Sequence, residues 1–368
     1  MGSLLENRLL HIKKVLKTIV VNVIVFFFLL FLVNLGCGYY LKITRGPGRE
    51  QLPNYKENVD YGSTIFSEYN QVKFNYEAFV GWRSLPFKGI TTNINSRGLR
   101  YTKNGHGSDI ASGKSRLVRF FGGSTMWGEG SDDQHTIPSL YAGFSKDTVV
   151  NHAQLAYNSR QNLDALISLI NEGDSLDLVI FYDGVNDASF LCPSEIHVPG
   201  HRLVPMFQKK IYVSYPRLFY QVLHKLFLEN IIRVIQRNND EYSPDLWNCL
   251  EGNKARDIAR FMISNWEIAN ELVKERGGKF IAVLQPVSFR GNPRLDHLKL
   301  DEELGRNIGR VYEEINILLN QKNYDWVIDL SQSFNGDDYI YIDFCHVSPN
   351  GNEIIAQQLV QRLNNLEF

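Results

Sequence analysis

From residue 116 onward, short apolar runs alternate with stretches of helical period, and this alternation restricts the chain to folds built on a parallel sheet. Residues 117–121, 148–151, 176–182, 279–284 and 326–330 are strand-length runs. Segments of helical pattern follow most of them, around 137–144, 159–171, 254–276 and 302–319. A parallel pair needs a crossover of a dozen or more residues, usually a helix, whereas an antiparallel pair needs only a tight turn. The expectation is an α/β domain with a parallel sheet covered on both faces, closed by a helix over 350–363 that Ser348 caps and Pro349 opens. Ligands bind such sheets beyond the carboxyl ends of the strands, so residues just after each run are the ones to inspect.

A second feature lies outside this pattern. Residues 18–38 carry no charge and include an unbroken apolar run from Phe26 to Val33. About 20 apolar residues span the hydrocarbon core of a bilayer as a helix. Arg8, Lys13, Lys14 and Lys17 precede the segment, while Lys42, Arg45 and Arg49 follow it, which favours a cytoplasmic N-terminus. The reading is a single-pass signal anchor with the remaining chain outside the cytoplasm. The alternatives are a cleaved signal peptide ending near Gly36 and Gly38, or a buried core helix. Lys and Arg number 39 against 40 Asp and Glu, so the basic excess on which nucleic-acid binding draws is missing. No Asn-x-Ser/Thr sequon occurs, which favours a bacterial envelope over a glycosylating secretory route.

These features divide the chain into a cytoplasmic N-terminus (1–17), the anchor (18–38), a juxtamembrane leader (39–111) and an α/β domain (112–368). The leader mixes Gly, Pro, Asn and aromatics without sustained periodicity. Residues 188–250 are too long for a simple crossover and form an inserted segment. Within it Leu218, Phe219, Val222, Leu223, Leu226 and Phe227 recur at helical spacing, fitting either a helix on the core or a lid or membrane-facing surface. Cys192 and Cys249 bracket most of the insert and are equally compatible with a disulfide or with two buried thiols.

Chemistry-bearing residues follow the strand runs. Ser124 comes after Gly122 and Gly123, where a tight turn would present its hydroxyl and free its N–H; a helix-capping serine is the competing reading. Asn186 ends the third run within Asp183-Gly184-Val185-Asn186-Asp187 and can aim an amide N–H at a developing oxyanion. His346 lies three residues after Asp343, and a carboxylate at that spacing can fix the imidazole tautomer while the ring takes a serine proton. Cys345 beside His346 keeps a metal site in view, but no second His or Cys cluster with zinc spacing accompanies it. No metal and no cofactor are expected.

From residue 116 to the C-terminus the sequence resembles the SGNH/GDSL hydrolase family. Gly122-Gly123-Ser124-Thr125 resembles its first block, residues 183–187 its third, and Asp343-Phe344-Cys345-His346 its fifth. The second block departs: the family has Gly five residues after an Asn, whereas Asn151 is followed there by Ala156. The resemblance implies a flavodoxin-like three-layer α/β/α fold, with Ser124 as nucleophile, His346 as base and Asp343 as its partner. Ser124 N–H, Ala156 N–H and the Asn186 side chain would form the oxyanion hole. It implies a serine esterase acting on O-acyl, chiefly O-acetyl, esters of envelope or exported glycans. A lipid ester is the other substrate class; an O-acyltransferase using the same residues, or a noncatalytic glycan-binding protein, is the alternative function. Asn95-Ser96-Arg97-Gly98-Leu99-Arg100 also resembles leader segments of anchored relatives in glycan-handling systems.

Overall fold

The computed structural model describes residues 2–44, 48–103, 116–211, 215–238 and 247–365. They fall into two compact units, Met1–Gly46 with Lys209–Pro244, and Pro47–Gln208 with Asp245–Phe368.

The first unit is built on one helix, Gly2–Ile43, long and apolar enough to cross a membrane. It begins well before residue 18, because the Leu, Lys, Ile and Val residues there are compatible with a helix and nothing breaks it. Two shorter helices, Tyr215–Phe227 and Glu229–Asn238, pack on it. Leu228 separates them, and Asn34 satisfies the orphaned groups of that break. Its amide donates to the carbonyls of Leu226 (3.0 Å) and Lys225 (3.3 Å), and its Oδ1 accepts the N–H of Asn230 (2.8 Å). The Phe227 ring lies 5.2 Å from Phe27 and 6.4 Å from Phe31. Phe227 of the insert's apolar stripe therefore packs on the N-terminal helix, while Phe219, Val222 and Leu226 of that stripe are exposed.

The second unit contains the sheet. Its strands are β1 (Leu117–Gly122), β2 (Thr148–Asn151), β3 (Leu178–Asp183), β4 (Lys279–Leu284) and β5 (Val327–Asp329), all parallel in the order β5-β4-β3-β1-β2. This is the flavodoxin-like order, with its switch point beside β1. Every residue of β3 is buried, as a strand covered on both faces requires. The helices of this unit include α1 (Val59–Tyr69), α2 (Ser124–Trp127), α3 (Ile137–Ser145), α4 (Ser159–Asn171), α5 (Val185–Leu191), α6 (Lys254–Lys274), α7 (Glu302–Lys322) and α8 (Pro349–Asn364). A capping box between Asn158 and Gln161 starts α4. Ser348 occupies the N-cap position of α8 without a side-chain cap bond, so Pro349 alone marks that start.

From Gly48 to Lys103 the leader belongs to this same unit. Its described part holds α1 and two antiparallel pairs, Phe74–Glu77 with Gly81–Ser84 and Phe87–Lys88 with Asn93–Ile94. Strands of two to four residues are too short to show a period, which is why the sequence reads as irregular there. Glu68 of α1 ties the pieces together by accepting the backbone N–H groups of Ile90, Thr91 and Thr92. The boundary expected at 112 lies outside the described residues. Cys192 and Cys249 are disulfide-bonded, with Cα atoms 5.3 Å apart, and close the neck of the inserted segment within this unit.

Candidate active site

Ser124 is the first residue of α2 and directly follows β1 and Gly123, so its N–H has no acceptor inside the helix. The glycines act differently from the expected turn. Gly123 has φ −84°, which any residue adopts, and neither glycine has a positive φ. A Cβ on Gly123 would instead lie 2.2 Å from the Asn186 amide nitrogen and 3.1 Å from the Tyr157 carbonyl. Glycine is needed because three segments meet at its Cα.

His346 Nε2 lies 2.6 Å from Ser124 Oγ, and its Nδ1 lies 2.7 Å from Asp343 Oδ2. The other carboxylate oxygen of Asp343 accepts the N–H groups of Cys345 (2.9 Å) and His346 (2.8 Å). Burial opposes ionisation of Asp343, but the His346 charge, its hydrogen bond and the two peptide N–H groups outweigh burial and hold the carboxyl well below its usual range. Burial likewise favours a neutral His346, yet its neighbours raise the ring well above the ordinary imidazole value. Burial pushes the Cys345 thiol up to about 12, so the carboxylates supply the charge. Asp343, Cys345 and His346 offer ligand-type atoms within 4.8 Å of one another, and here Asp343 Oδ2 and His346 Nδ1 are engaged with each other.

Asn186 follows Gly184, whose φ of +134° only glycine tolerates, at the start of α5. One of its two amide hydrogens goes to the Tyr157 carbonyl at 2.7 Å, leaving the second for an oxyanion. Ala156 has φ +64°, the left-handed region in which a Cβ costs on the order of 1 kcal/mol. The surroundings impose this conformation. His201 donates from Nε2 to the Ala156 carbonyl (3.0 Å) and accepts the Leu203 N–H at Nδ1, a neutral ring that burial holds down at about 4. Trp82 Nε1 donates to the Leu155 carbonyl (2.9 Å), and the Tyr157 hydroxyl donates to the Trp82 carbonyl. Leader residues thus hold the loop that carries Ala156.

The same leader grips the loop after Ser124. Arg100, with no side-chain exposure, donates to the carbonyls of Gly128 (2.6 Å), Ser131 (2.6 Å) and Trp127 (3.2 Å), pairs with Asp133 (3.0 Å), and stacks over Trp127. Burial outweighs even this pairing, lowering Arg100 and raising Asp133. Removing one partner of a buried pair strands the other, at a cost of about 3–5 kcal/mol. Arg100→Met is therefore expected to lower the unfolding free energy by about 3 kcal/mol, read from the denaturant midpoint. A change under about 1 kcal/mol would show that the clamp is not structural.

Two further side chains lie beside the triad, and no spacing in the sequence pointed to them. Glu129, 5% exposed, places Oε2 3.1 Å from His346 Nε2. Arg49, from the leader, lies 2.6 Å from Glu129 Oε1 and 3.3 Å from Asp343 Oδ2, with its guanidinium over the Phe66 ring.

Solved structures similar to this chain include a carbohydrate acetylesterase from Sinorhizobium meliloti, 13% identical over 69% of this chain and 100% of its own, TM-score 0.37. A member of the lipolytic protein G-D-S-L family from Veillonella parvula is 11% identical over 68% and 99%, TM-score 0.38. A GDSL-like lipase from Bacteroides thetaiotaomicron is 13% identical over 70% and 96%, TM-score 0.37. No protein-family model and no curated protein matches the chain.

Proposed function

We propose that this chain is a membrane-anchored serine esterase of the SGNH/GDSL type, acting on O-acyl, chiefly O-acetyl, esters of envelope or exported glycans. The observation that carries this reading is the continuous relay from Ser124 Oγ through His346 to Asp343, with Asn186 packed against the residue before the nucleophile. An isolated serine hydroxyl is a poor nucleophile, and a base at hydrogen-bond distance oriented by a carboxylate is the arrangement that activates it. Ser124 Oγ attacks the ester carbonyl as its proton passes to His346 Nε2. The oxyanion forms against the Ser124 N–H, the Ala156 N–H and the Asn186 amide. His346 then protonates the departing alcohol, and water, activated by the same ring, releases the acid.

The Cys192–Cys249 disulfide and the basic residues before the apolar helix support an extracytoplasmic domain. A C-terminal reporter active only in the cytoplasm would refute that orientation. Full-length protein in detergent should release acetate from acetylated glycans, and Ser124→Ala protein should not. Acetate moved to another sugar instead would make it a transferase, and release from lipid esters alone would redirect the substrate assignment. No turnover of any ester by folded protein would leave the noncatalytic reading.

A further inference from the structure

His346 Nε2 has two partners where a serine base ordinarily has one. Ser124 Oγ lies at 2.6 Å and Glu129 Oε2 at 3.1 Å. Asp343 fixes a proton on Nδ1, so a neutral ring would present only a lone pair at Nε2. A lone pair 3.1 Å from a buried carboxylate oxygen is repulsive, whereas an N–H there is a charge-assisted hydrogen bond. The geometry therefore suits a ring carrying both protons between two carboxylates. Arg49 supplies the fourth charge, so Asp343, Glu129, His346 and Arg49 form a cluster with no net charge.

The groups facing this ring come from four places. Asp343 and Cys345 lie on its own loop, Glu129 on the loop after α2, Tyr69 at the end of α1, and Arg49 in the leader. Tyr69 stays protonated, because burial and its contact with Glu129 push its hydroxyl up. Glu129 is ionised despite its burial, since His346 and Arg49 outweigh the cost.

Resting on the esterase reading above, we propose that Glu129 is a positioning residue that holds the proton on His346 Nε2, and that Arg49 limits this hold, the two together setting the pH range of acyl transfer. Bond making is unchanged: the Ser124 oxygen bonds the acyl carbon, its proton goes to Nε2, and that proton later leaves with the alcohol oxygen. Glu129 alters when Nε2 is free to begin. Both protons stay on the ring until the pH rises far enough to remove one, which puts the acidic limb at higher pH than an ordinary imidazole would give. The leader thereby reaches into the chemistry, since Arg49 draws Glu129 away from the ring.

The test is the pH dependence of covalent labelling of full-length protein by a fluorophosphonate ester, which needs no knowledge of the substrate. Glu129→Gln removes a negative charge beside His346, so the acidic midpoint should fall by at least about one pH unit, giving roughly tenfold faster labelling on that limb. Arg49→Met removes a positive charge, so the midpoint should rise. A structural defect alone would lower the rate at every pH without moving the two midpoints in opposite directions. Unmoved midpoints, or midpoints moving together, overturn the proposal, whereas failure of wild type to label at any pH overturns the esterase reading itself. Should Glu129→Gln fail to fold, ¹⁵N-histidine spectra of wild type decide, with His346 assigned by its loss in His346→Gln: a singly protonated ring at pH 7 sinks the proposal.

Discussion

Ser124→Ala is expected to remove essentially all ester turnover, a loss on the order of 10⁶-fold by the scale of serine hydrolases with an intact oxyanion hole. The structure makes this a demanding forecast. Ser124 Oγ is 2.6 Å from the base and only 8% of the residue is exposed, so water has little room to replace it as the attacking group. A fluorophosphonate ester should modify Ser124 and no other serine at low dose, because His346, paired with Asp343, activates the Ser124 hydroxyl. His346→Ala should abolish the modification while leaving the fold, since His346 is a loop residue whose carboxylate partner is also bonded by backbone N–H groups. Peptide mapping after labelling checks both. Modification of Ser124→Ala protein at the wild-type rate would end the triad assignment.

The sheet was readable from sequence because its strands lie in apolar runs separated by helical stretches, and each expected run matches a strand to within a few residues. Ser124, Asn186, Asp343 and His346 could be named because each lies within a few residues of a strand end or a helix start, where the topology gathers residues, and the structure brings Ser124, His346 and Asp343 into hydrogen-bond distance. Glu129, Arg49 and His201 were not. Each acts through a contact between segments 45 to 294 residues apart, as in Arg49 with Asp343 or His201 with Ala156, and nothing local encodes such a meeting. The motif from Asn95 to Arg100 was visible only as a resemblance. Its physical role, clamping the loop that carries Glu129, required the buried geometry of Arg100. Ala156 sits between the two cases: the missing glycine was plain, but the bonds that impose a positive φ on it were not.

Asp343→Asn should cost about 10⁴-fold in turnover while the protein still folds and still carries its serine. The side chain has two jobs on different oxygens. Oδ1 accepts the N–H groups of Cys345 and His346, and Oδ2 accepts from His346 Nδ1. An asparagine keeps its oxygen on the two peptide N–H groups, because turning it over would sacrifice both bonds, each worth about 1 kcal/mol. Its NH₂ then faces Nδ1 and donates to it. The ring must respond by holding its single proton on Nε2, the nitrogen that has to receive the Ser124 proton. Glu129 makes this worse, since its carboxylate lies 3.1 Å from Nε2 and stabilises that tautomer directly. Losing the Asp343 charge also lowers the affinity of the ring for a second proton, so the acidic limb should move to lower pH even as the plateau falls. A plateau that stayed low at every pH would mark a tautomer defect, because ionisation alone recovers at high pH. Turnover within tenfold of wild type would mean that Asp343 only closes the turn. Restoring part of the rate by adding Glu129→Gln to Asp343→Asn would show that the two carboxylates act on one ring from opposite sides.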